Sequence, residues 1–321
     1  MSAFNTPIDL DSPTGAKLRL RHCAPHEKPR AVIQINHGLA EHAARYARFA
    51  DVLAGNGFAV LAHDHRGHGG TRAPDAATGI FGKAAPGRAW PAVIEDVRAV
   101  HDHAAELYPD IPIIVFGHSL GGVIAMNFAL SYPDRPAALS VWNANFKPGA
   151  AGRTAQVVLA IERAMLGSDV ASRILPKATF AAWGRAIADS RTPFDWLSHD
   201  EEQVRAYIDD PHCGWDPSVG LWQDVFAMSY RGADRSALAR LPKDMPILLV
   251  GGGQDPATDY GRAVSWYGKR LRHLGFRQTT ELSYEYMRHE TLNESTPDAE
   301  TAMEDFSIWA EQSIDTDSGP S

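Results

Sequence analysis

Residues 111–122 read IPIIVFGHSLGG, an apolar run followed by a serine between glycines. The apolar part is typical of a β-strand that is covered on both faces of a sheet. The stretch after it, residues 120–130, begins with small residues and has a helical pattern. A serine at a sharp strand-to-helix turn of the form G-x-S-x-G is held with its hydroxyl clear of the sheet. Ser119 is therefore the candidate nucleophile, and the alternative is an ordinary strand-to-helix turn.

Apolar runs alternate with helical patterns along most of the chain. Such alternation is typical of right-handed βαβ units, and it predicts an α/β fold with a mostly parallel, doubly wound sheet. A Pro-Thr-Gly turn separates the first two strands and predicts an antiparallel hairpin at the sheet edge. The predicted strands are residues 8–10, 17–21, 31–36, 58–63, 111–116, 138–142, 247–250 and 278–284, and the predicted helices are residues 46–54, 89–107, 120–130 and 260–274.

The alternation stops between residues 146 and 236, in a helix-like region that is rich in large apolar side chains and holds four of the eight tryptophans. We predict that residues 146–236 form an inserted helical lid, and that residues 1–145 and 237–314 together form the core. Residues 315–321 are small and polar, which predicts a disordered tail.

Composition excludes several kinds of function. The formal net charge is −8 and no Lys- or Arg-rich tract is present, which argues against a nucleic-acid partner. The two cysteines, Cys23 and Cys213, lie far apart, so their spacing predicts neither a disulfide framework nor a zinc site. No apolar run is long enough to span a bilayer, and the first residues lack the pattern of a signal peptide. We expect a cytoplasmic protein.

A serine hydroxyl needs a neighbouring base, and the base needs an acid that orients it. Asp255 stands in a glycine-rich loop after a buried strand, and catalytic groups of open α/β sheets gather at the carboxyl ends of strands. Asp259 is the nearby alternative, but it stands where the next helix needs an N-cap. His289 follows the last predicted strand, where the base belongs, whereas His273 lies in a helical pattern and is expected at the surface. The sequence thus predicts Ser119, Asp255 and His289 as the catalytic residues.

Two polar loops follow the strands at residues 31–36 and 58–63. The first reads HGLAEH, and its Leu39 amide is the predicted partner of the Leu120 amide in binding an oxyanion; the alternative is a helix-start turn. The second loop reads HDHRGHG from residue 63. Its three histidines could suggest a metal site. Zinc sites, however, favour ligands that are spaced so that they converge on one ion, and no distant motif that would supply a fourth ligand is evident. We expect a hydrogen-bonded loop that braces the rim of the site.

Five sequence blocks together resemble the monoacylglycerol lipase and lysophospholipase-like branch of the serine α/β-hydrolases, and they span nearly the whole chain except the lid. The blocks are His37-Gly38-x-x-Glu41-His42 with Arg45-Tyr46, Asp64-His65-Arg66-Gly67-His68-Gly69, Gly117-His118-Ser119-Leu120-Gly121-Gly122, Gly253-Gln254-Asp255-Pro256, and residues 288–294, RHETLNE. The resemblance implies the α/β-hydrolase fold, the triad Ser119, Asp255 and His289, an oxyanion hole from the amides of Leu39 and Leu120, and no cofactor. Leu39 and Ala40 depart from the family, which often has a small residue and a glycine there. A bulkier rim is expected to narrow the mouth of the acyl pocket.

These features predict a serine hydrolase that cleaves carboxylic esters through an acyl-enzyme on Ser119. The aromatic, apolar lid favours monoacylglycerol or lysophospholipid as the substrate, and it also favours peripheral contact with a membrane. A short-chain carboxylesterase is the alternative if the lid tryptophans only pack a core. Amide cleavage by the same triad and a non-catalytic binding module on this fold remain open as well. The sequence predicts no particular acyl length or oligomeric state.

Overall fold

The computed structural model describes Phe4 and residues 6–314. The predicted tail at residues 315–321 lies outside the described residues. The strands are β1 (Ile8–Asp11), β2 (Lys17–Cys23), β3 (Ala31–Asn36), β4 (Phe58–His63), β5 (Ile113–His118), β6 (Ala138–Trp142), β7 (Ile247–Gly252) and β8 (Thr279–Tyr284). The helices are α1 (Ala47–Gly55), α2 (Trp90–Leu107), α3 (Leu120–Ser131), α4 (Gly149–Leu166), α5 (Leu175–Ala178), α6 (Phe180–Ala186), α7 (Glu201–Asp209), α8 (Val219–Gly232), α9 (Arg235–Leu238), α10 (Arg262–His273) and α11 (Asp298–Ile314).

The eight strands form one sheet in the order β1-β2-β4-β3-β5-β6-β7-β8. Strands β3 to β8 are parallel to one another, whereas β2 is antiparallel to both β1 and β4. Every residue of β3, β4, β5, β6 and β7 is buried, because helices cover both faces of the sheet. The predicted α/β fold, with its antiparallel hairpin at the sheet edge, is confirmed.

The core lies on both faces of this sheet. On one face, α3 is buried on all sides, since every residue from its start at Leu120 to Leu130 is buried. On the other face, aromatic rings from two helices and two strands pack together: Phe49 of α1, Phe116 of β5, Trp142 of β6 and Phe306 of α11. The strand β5 and the helix α3 are therefore held firmly on both sides of the turn that joins them.

Six helices, α4 to α9, lie between β6 and β7. Aromatic side chains from this region pack against one another, with Phe180 next to both Trp196 and Trp222. The division of the chain into a core and a lid at residues 146 and 236 stays a prediction. Among the described residues, no helix combines the length and the hydropathy that crossing a bilayer requires.

The expectation that Asp259 caps the next helix is wrong. The helix α10 begins at Arg262, and its N-cap is Gly261. Asp259, Tyr260 and Gly261 all have positive φ, at 57°, 56° and 77°, so a left-handed turn takes the place of the predicted first helical residues. The Asp259 side chain instead accepts hydrogen bonds from Arg262 at the surface.

Candidate active site

Ser119 lies at the turn between β5 and α3, with φ 54° and ψ −118°. A positive φ is strained for serine, and the neighbouring backbone packs so tightly that two positions must be glycine. A Cβ at Gly117 would overlap the carbonyl oxygen of Gly121, and a Cβ at Gly121 would overlap the carbonyl oxygen of Asn36. The Ser119 amide donates to the carbonyl of Trp142 at 2.7 Å. The turn thus has the sharp geometry that the sequence motif predicts.

Asp255 and His289 lie on the loops that follow β7 and β8. His289 Nδ1 is 2.9 Å from Asp255 Oδ2. The Asp255 carboxylate is fully buried, and it also accepts hydrogen bonds from Thr258 Oγ1 at 2.7 Å, Asn143 Nδ2 at 3.1 Å and the Ala257 amide at 2.9 Å. Four donors therefore hold this carboxylate in one orientation.

The surroundings of Asp255 keep it ionised. Burial alone would raise the pKa of this carboxyl group, but the charge of His289 and its hydrogen bond, followed by the bonds from Thr258 and Asn143, lower the pKa below its usual value. A carboxylate can only accept, so the Nδ1 of His289 donates the proton in this pair. The Nε2 of a neutral His289 ring is then an acceptor, which is the state that a general base requires.

Ser119 and His289 both line a cleft of about 960 Å³, its open mouth included. No hydrogen bond joins the two side chains in this part of the described structure. Leu39 and Leu120 line the same cleft, whereas Asp255 lies behind His289. Six large aromatic side chains line the walls: Phe180, Trp183, Trp196, Tyr207, Trp222 and Phe226. The structure therefore gathers the five residues predicted for the site, and their catalytic roles stay predictions.

The loop of residues 37–42, here called the oxyanion loop for its predicted role, is held by a buried carboxylate. The Gly38 amide donates to Glu41 Oε1 at 2.5 Å, and the Tyr46 hydroxyl donates to the same oxygen at 2.9 Å. The Gly38 amide is thereby occupied. Within the described residues, the amides of Leu39 and Leu120 donate to no acceptor, and Leu120 is the first residue of α3. These two amides remain available to an oxyanion.

Sequence reasoning missed the contacts of His118, the residue before Ser119. Its Nε2 is 2.9 Å from the carbonyl oxygen of His289, and its Nδ1 is 3.5 Å from Glu41 Oε1. Burial alone would lower the pKa of His118, but the hydrogen bond and the charge of Glu41 raise the pKa above its usual value. His118 thus links the oxyanion loop to the backbone of the predicted base. Its presence in the same block as Ser119 was the available signal.

Arg45 joins the same two loops by ion pairs. Its guanidinium donates to both carboxylate oxygens of Glu290, at 2.5 Å and 2.6 Å, and to Glu41 Oε2 at 2.8 Å. Glu41 and Glu290 are both buried, and both line the cleft. Breaking a buried pair by removing one partner typically costs about 3–5 kcal/mol, so these contacts fix the loops firmly. Neither carboxylate is left unpaired for a ligand.

The second polar loop, residues 63–69, only partly meets the expectation of a hydrogen-bonded brace. Asp64 accepts from the amides of Ala43 and Gly70, and Arg66 donates to the buried Asp96 at 2.8 Å. His63 and His65 differ, because in the described structure neither of their ring nitrogens has a hydrogen-bond partner. These two histidines are the exceptions in an otherwise hydrogen-bonded loop, and burial lowers the pKa of both rings.

We expect two buried histidines of this loop, His63 and His68, to make the protein sensitive to acid. Burial lowers the pKa of both His63 and His68 to about 3, from roughly 6.5 in an unfolded chain. The unfolded state then binds protons more readily than the folded state. The stability that the two neutral rings contribute is therefore fully present above about pH 6.5 and is lost as the pH falls towards 3. For each histidine, the free energy of unfolding should fall by up to about 1.4 kcal/mol per pH unit within this range. Urea unfolding of wild type and His63→Leu across this range measures it, and an equal slope in the variant would contradict the expectation.

Comparisons with known proteins decide the family. The model of the family described as serine aminopeptidase, S33 (Hydrolase_4) matches residues 27–296. The chain belongs to this family. Its relatives include a monoacylglycerol lipase of Mycolicibacterium smegmatis, 30% identical over 89% of this chain and 89% of the relative, and the human monoglyceride lipase, 25% identical over 93% and 88%. The predicted resemblance is confirmed.

Two solved structures superpose closely on this family member. A thermostable carboxyl esterase from Bacillus coagulans in complex with glycerol has a TM-score of 0.86 and 24% identity, over 96% of this chain and 98% of that one. A lipase in an open form has a TM-score of 0.83 and 27% identity, over 97% and 99%. The first likeness establishes the fold alone, and both agree with an α/β-hydrolase.

Proposed function

We propose that this protein hydrolyses monoacylglycerols by acyl transfer, with Ser119 as nucleophile, His289 as general base and Asp255 as the group that orients the base. Its broader class, a serine ester hydrolase, follows from its family and relatives. The observation that carries the proposal is the cleft itself. It combines Ser119 and His289 with aromatic walls and with carboxylates that are already paired.

The proposed reaction has two halves. His289 Nε2 takes the Ser119 proton as the hydroxyl oxygen attacks the ester carbonyl, and Asp255 stabilises the imidazolium that forms. The amides of Leu39 and Leu120 stabilise the oxyanion, and His289 then protonates the leaving glycerol. A water activated by His289 attacks the acyl-enzyme, and the fatty acid leaves as Ser119 recovers its proton. The proposed reaction uses no cofactor.

The charges around the cleft favour a neutral substrate. Among the described residues, no lysine or arginine lines the cleft. The phosphate of a lysophospholipid would find no such cation there, since the nearby Arg45 is already paired with Glu41 and Glu290. A glycerol ester has no charge to pair, and aromatic walls suit its acyl chain. Monoacylglycerol is therefore preferred to lysophospholipid.

Cleavage of peptides from the amino end, which the family description names, fits the cleft less well. A terminal ammonium group is bound most strongly by a carboxylate that is free to pair with it. The two acidic residues that line the cleft, Glu41 and Glu290, both pair with Arg45. Removing either from Arg45 to bind an amine would break one of the two buried ion pairs of this guanidinium. We therefore place ester cleavage ahead of peptide cleavage.

The test compares fatty-acid release from a long-chain monoacylglycerol with turnover of a matched lysophosphatidylcholine, a short-chain ester and an aminoacyl anilide. We expect the monoacylglycerol to have the highest kcat/KM, at least tenfold above the lysophospholipid. Turnover of the short ester alone would retain the triad and make the lid a filter for small substrates. Turnover of the anilide above all esters would overturn the proposal.

We further propose that the predicted lid at residues 146–236 docks on a membrane surface, and that the enzyme reaches its lipid substrates there. The helix α4 exposes Val157, Ile161 and Met165, at 60%, 55% and 77% of their surface. These residues are four positions apart, so they share one face of the helix. Val170 and Ile174, just beyond α4, are exposed as well. Apolar side chains on one face of a helix are typical of docking into the boundary region of a bilayer.

We expect the double variant Ile161→Asp, Met165→Asp to co-sediment with phosphatidylcholine vesicles at least tenfold more weakly than wild type. Burying one such side chain contributes about 1.5–3 kcal/mol, and about 1.4 kcal/mol is tenfold in affinity. Hydrolysis of a soluble short-chain ester should be unchanged. The matched control is Ile8→Asp, because Ile8 is also exposed but lies on β1. Equal sedimentation of the double variant and wild type would rule out docking through this face.

A further inference from the structure

Three side chains with metal-ligating atoms meet where the loop of residues 210–214, here called the lid loop, contacts the oxyanion loop. They are His42, Asp210 and Cys213, and one ligand atom of each lies within 4.8 Å of the others. His42 Nε2 is 2.8 Å from Asp210 Oδ2. In the part of the chain that the structure describes, this is the one such group of His, Cys and acidic side chains. None of the three belongs to the proposed triad.

We propose that His42, Asp210 and Cys213 bind a zinc ion, with His212 as the fourth ligand. A set of nitrogen, oxygen and sulfur ligands in tetrahedral geometry is typical of zinc in proteins. His212 Nδ1 is 3.5 Å from Asp210 Oδ1, and more than half of the His212 side chain is exposed. Its ring is therefore able to rotate towards the other three ligands.

The distances between the ligand atoms suit this ion after small side-chain rotations. Zinc bonds of about 2.0–2.3 Å place tetrahedral ligand atoms roughly 3.3–3.6 Å apart. The present spacings, 2.8 Å for one pair and at most 4.8 Å for the group, lie on either side of that range. The lid loop is held in a turn, because the Cys213 amide donates to the Asp210 carbonyl and the His212 amide donates to Asp210 Oδ1. Zinc would replace the hydrogen that now joins His42 to Asp210.

The local charges favour a cation. The Arg45 guanidinium and the carboxylates of Glu41, Asp210 and Glu290 are the charged groups that act on Cys213. Three carboxylates against one guanidinium give a negative surrounding, which disfavours a thiolate but attracts a divalent ion. Zinc binding would then release the thiol proton.

The site would fasten the lid loop to the oxyanion loop. The Ala40 carbonyl already accepts hydrogen bonds from the Gly214 amide and the Tyr207 hydroxyl, both at 3.0 Å. His42 is two residues after Ala40, so a metal there would reinforce the same junction. Cysteine spacing alone predicted no zinc site, because the histidine ligand comes from a distant part of the chain and only the fold brings it to Cys213.

The test titrates zinc into full-length protein that has been freed of metal with a chelator. Calorimetry in two buffers of different ionisation enthalpy is expected to show one zinc per chain and the release of a proton. Cobalt in place of zinc should give the absorption of a tetrahedral, thiolate-ligated ion. Cys213→Ser should weaken zinc binding at least tenfold. Cys23→Ser is the matched control, since Cys23 is the other buried free cysteine and should leave binding unchanged.

Two further variants keep the test decisive if Cys213→Ser does not fold. Asp210→Asn and His212→Asn each remove one proposed ligand, and each should weaken zinc binding at least tenfold and lessen the rise in Tm that zinc causes. Substoichiometric binding, a cobalt spectrum without thiolate absorption, or equal affinity in the folded variants would overturn the site. The site does not rest on the proposed reaction, so either idea can fail without the other.

Discussion

Replacement of Ser119 by alanine is expected to lower kcat for monoacylglycerol by about 10⁵- to 10⁶-fold, as removal of the nucleophile does in other serine hydrolases. Without the hydroxyl no acyl-enzyme forms, and only the oxyanion amides and the cleft remain to assist water. The fold should persist, because the Ser119 amide and the flanking glycines hold the turn, and the side chain makes no hydrogen bond in the described structure. Fatty-acid release, circular dichroism and Tm measure the two expectations together.

Ser229→Ala is the matched control for this experiment. Ser229 also lines the cleft, on α8, but lies outside the proposed triad. Its variant should keep kcat within about tenfold of wild type, an upper limit for a residue with no chemical step to perform. If Ser119→Ala kept comparable activity while folded, Ser119 would not be the nucleophile, and the mechanism proposed here would be wrong.

Replacement of Asp255 by asparagine is expected to lower kcat by about 10⁴-fold, the second largest effect. The carboxylate accepts the Nδ1 proton of His289 at 2.9 Å. An amide that presents its NH₂ group to Nδ1 would stabilise the tautomer with the proton on Nε2. That tautomer is unable to take a proton from Ser119. The loss should therefore appear mainly in kcat, with little change in KM.

Asp259→Asn provides the comparison for Asp255→Asn. Asp259 is four residues away and pairs with Arg262 at the surface, so its variant should behave like wild type in kcat and in KM. Labelling of Asp255→Asn with a fluorophosphonate, which reacts with activated serines, should be slowed in the same way. Equal loss of activity in both variants would mean that the loop, and not the carboxylate at residue 255, is what the reaction requires.

Much of the fold was predictable because parallel strands that are buried on both faces have continuous apolar sequences. Strands β3, β4 and β6 have the predicted bounds, and β5 begins at Ile113, two residues later than predicted. The Ser119 turn was predictable because the close approach of the backbone there requires glycine at residues 117 and 121, and these glycines are visible in the sequence. The start of α10 was not, since three successive left-handed residues, Asp259 to Gly261, have no signature beyond one glycine.

The supporting contacts of the site were out of reach of the sequence. Arg45, Glu41 and Glu290 stood in blocks that the resemblance marked, but nothing in their spacing says that one guanidinium joins both carboxylates. Such pairing depends on how loops from distant strands converge. The buried, unpartnered rings of His63 and His65 were missed for a related reason, because a polar residue type by itself predicts polar contacts that the packing does not supply.

The charges that line the cleft also bear on how a turnover ends. In the proposed reaction the substrate arrives neutral, while the fatty acid is ionised near neutral pH. In the described structure, the cleft offers this carboxylate no lysine or arginine, and it places the product near Glu41 and Glu290. Because Arg45 already pairs with both of these carboxylates, the product gains neither an ion pair nor a strong net repulsion there. The absence of a lysine or arginine from the lining, which suits an uncharged ester, thus leaves the ionised acid without a partner, and we expect the fatty acid to inhibit the reaction only weakly.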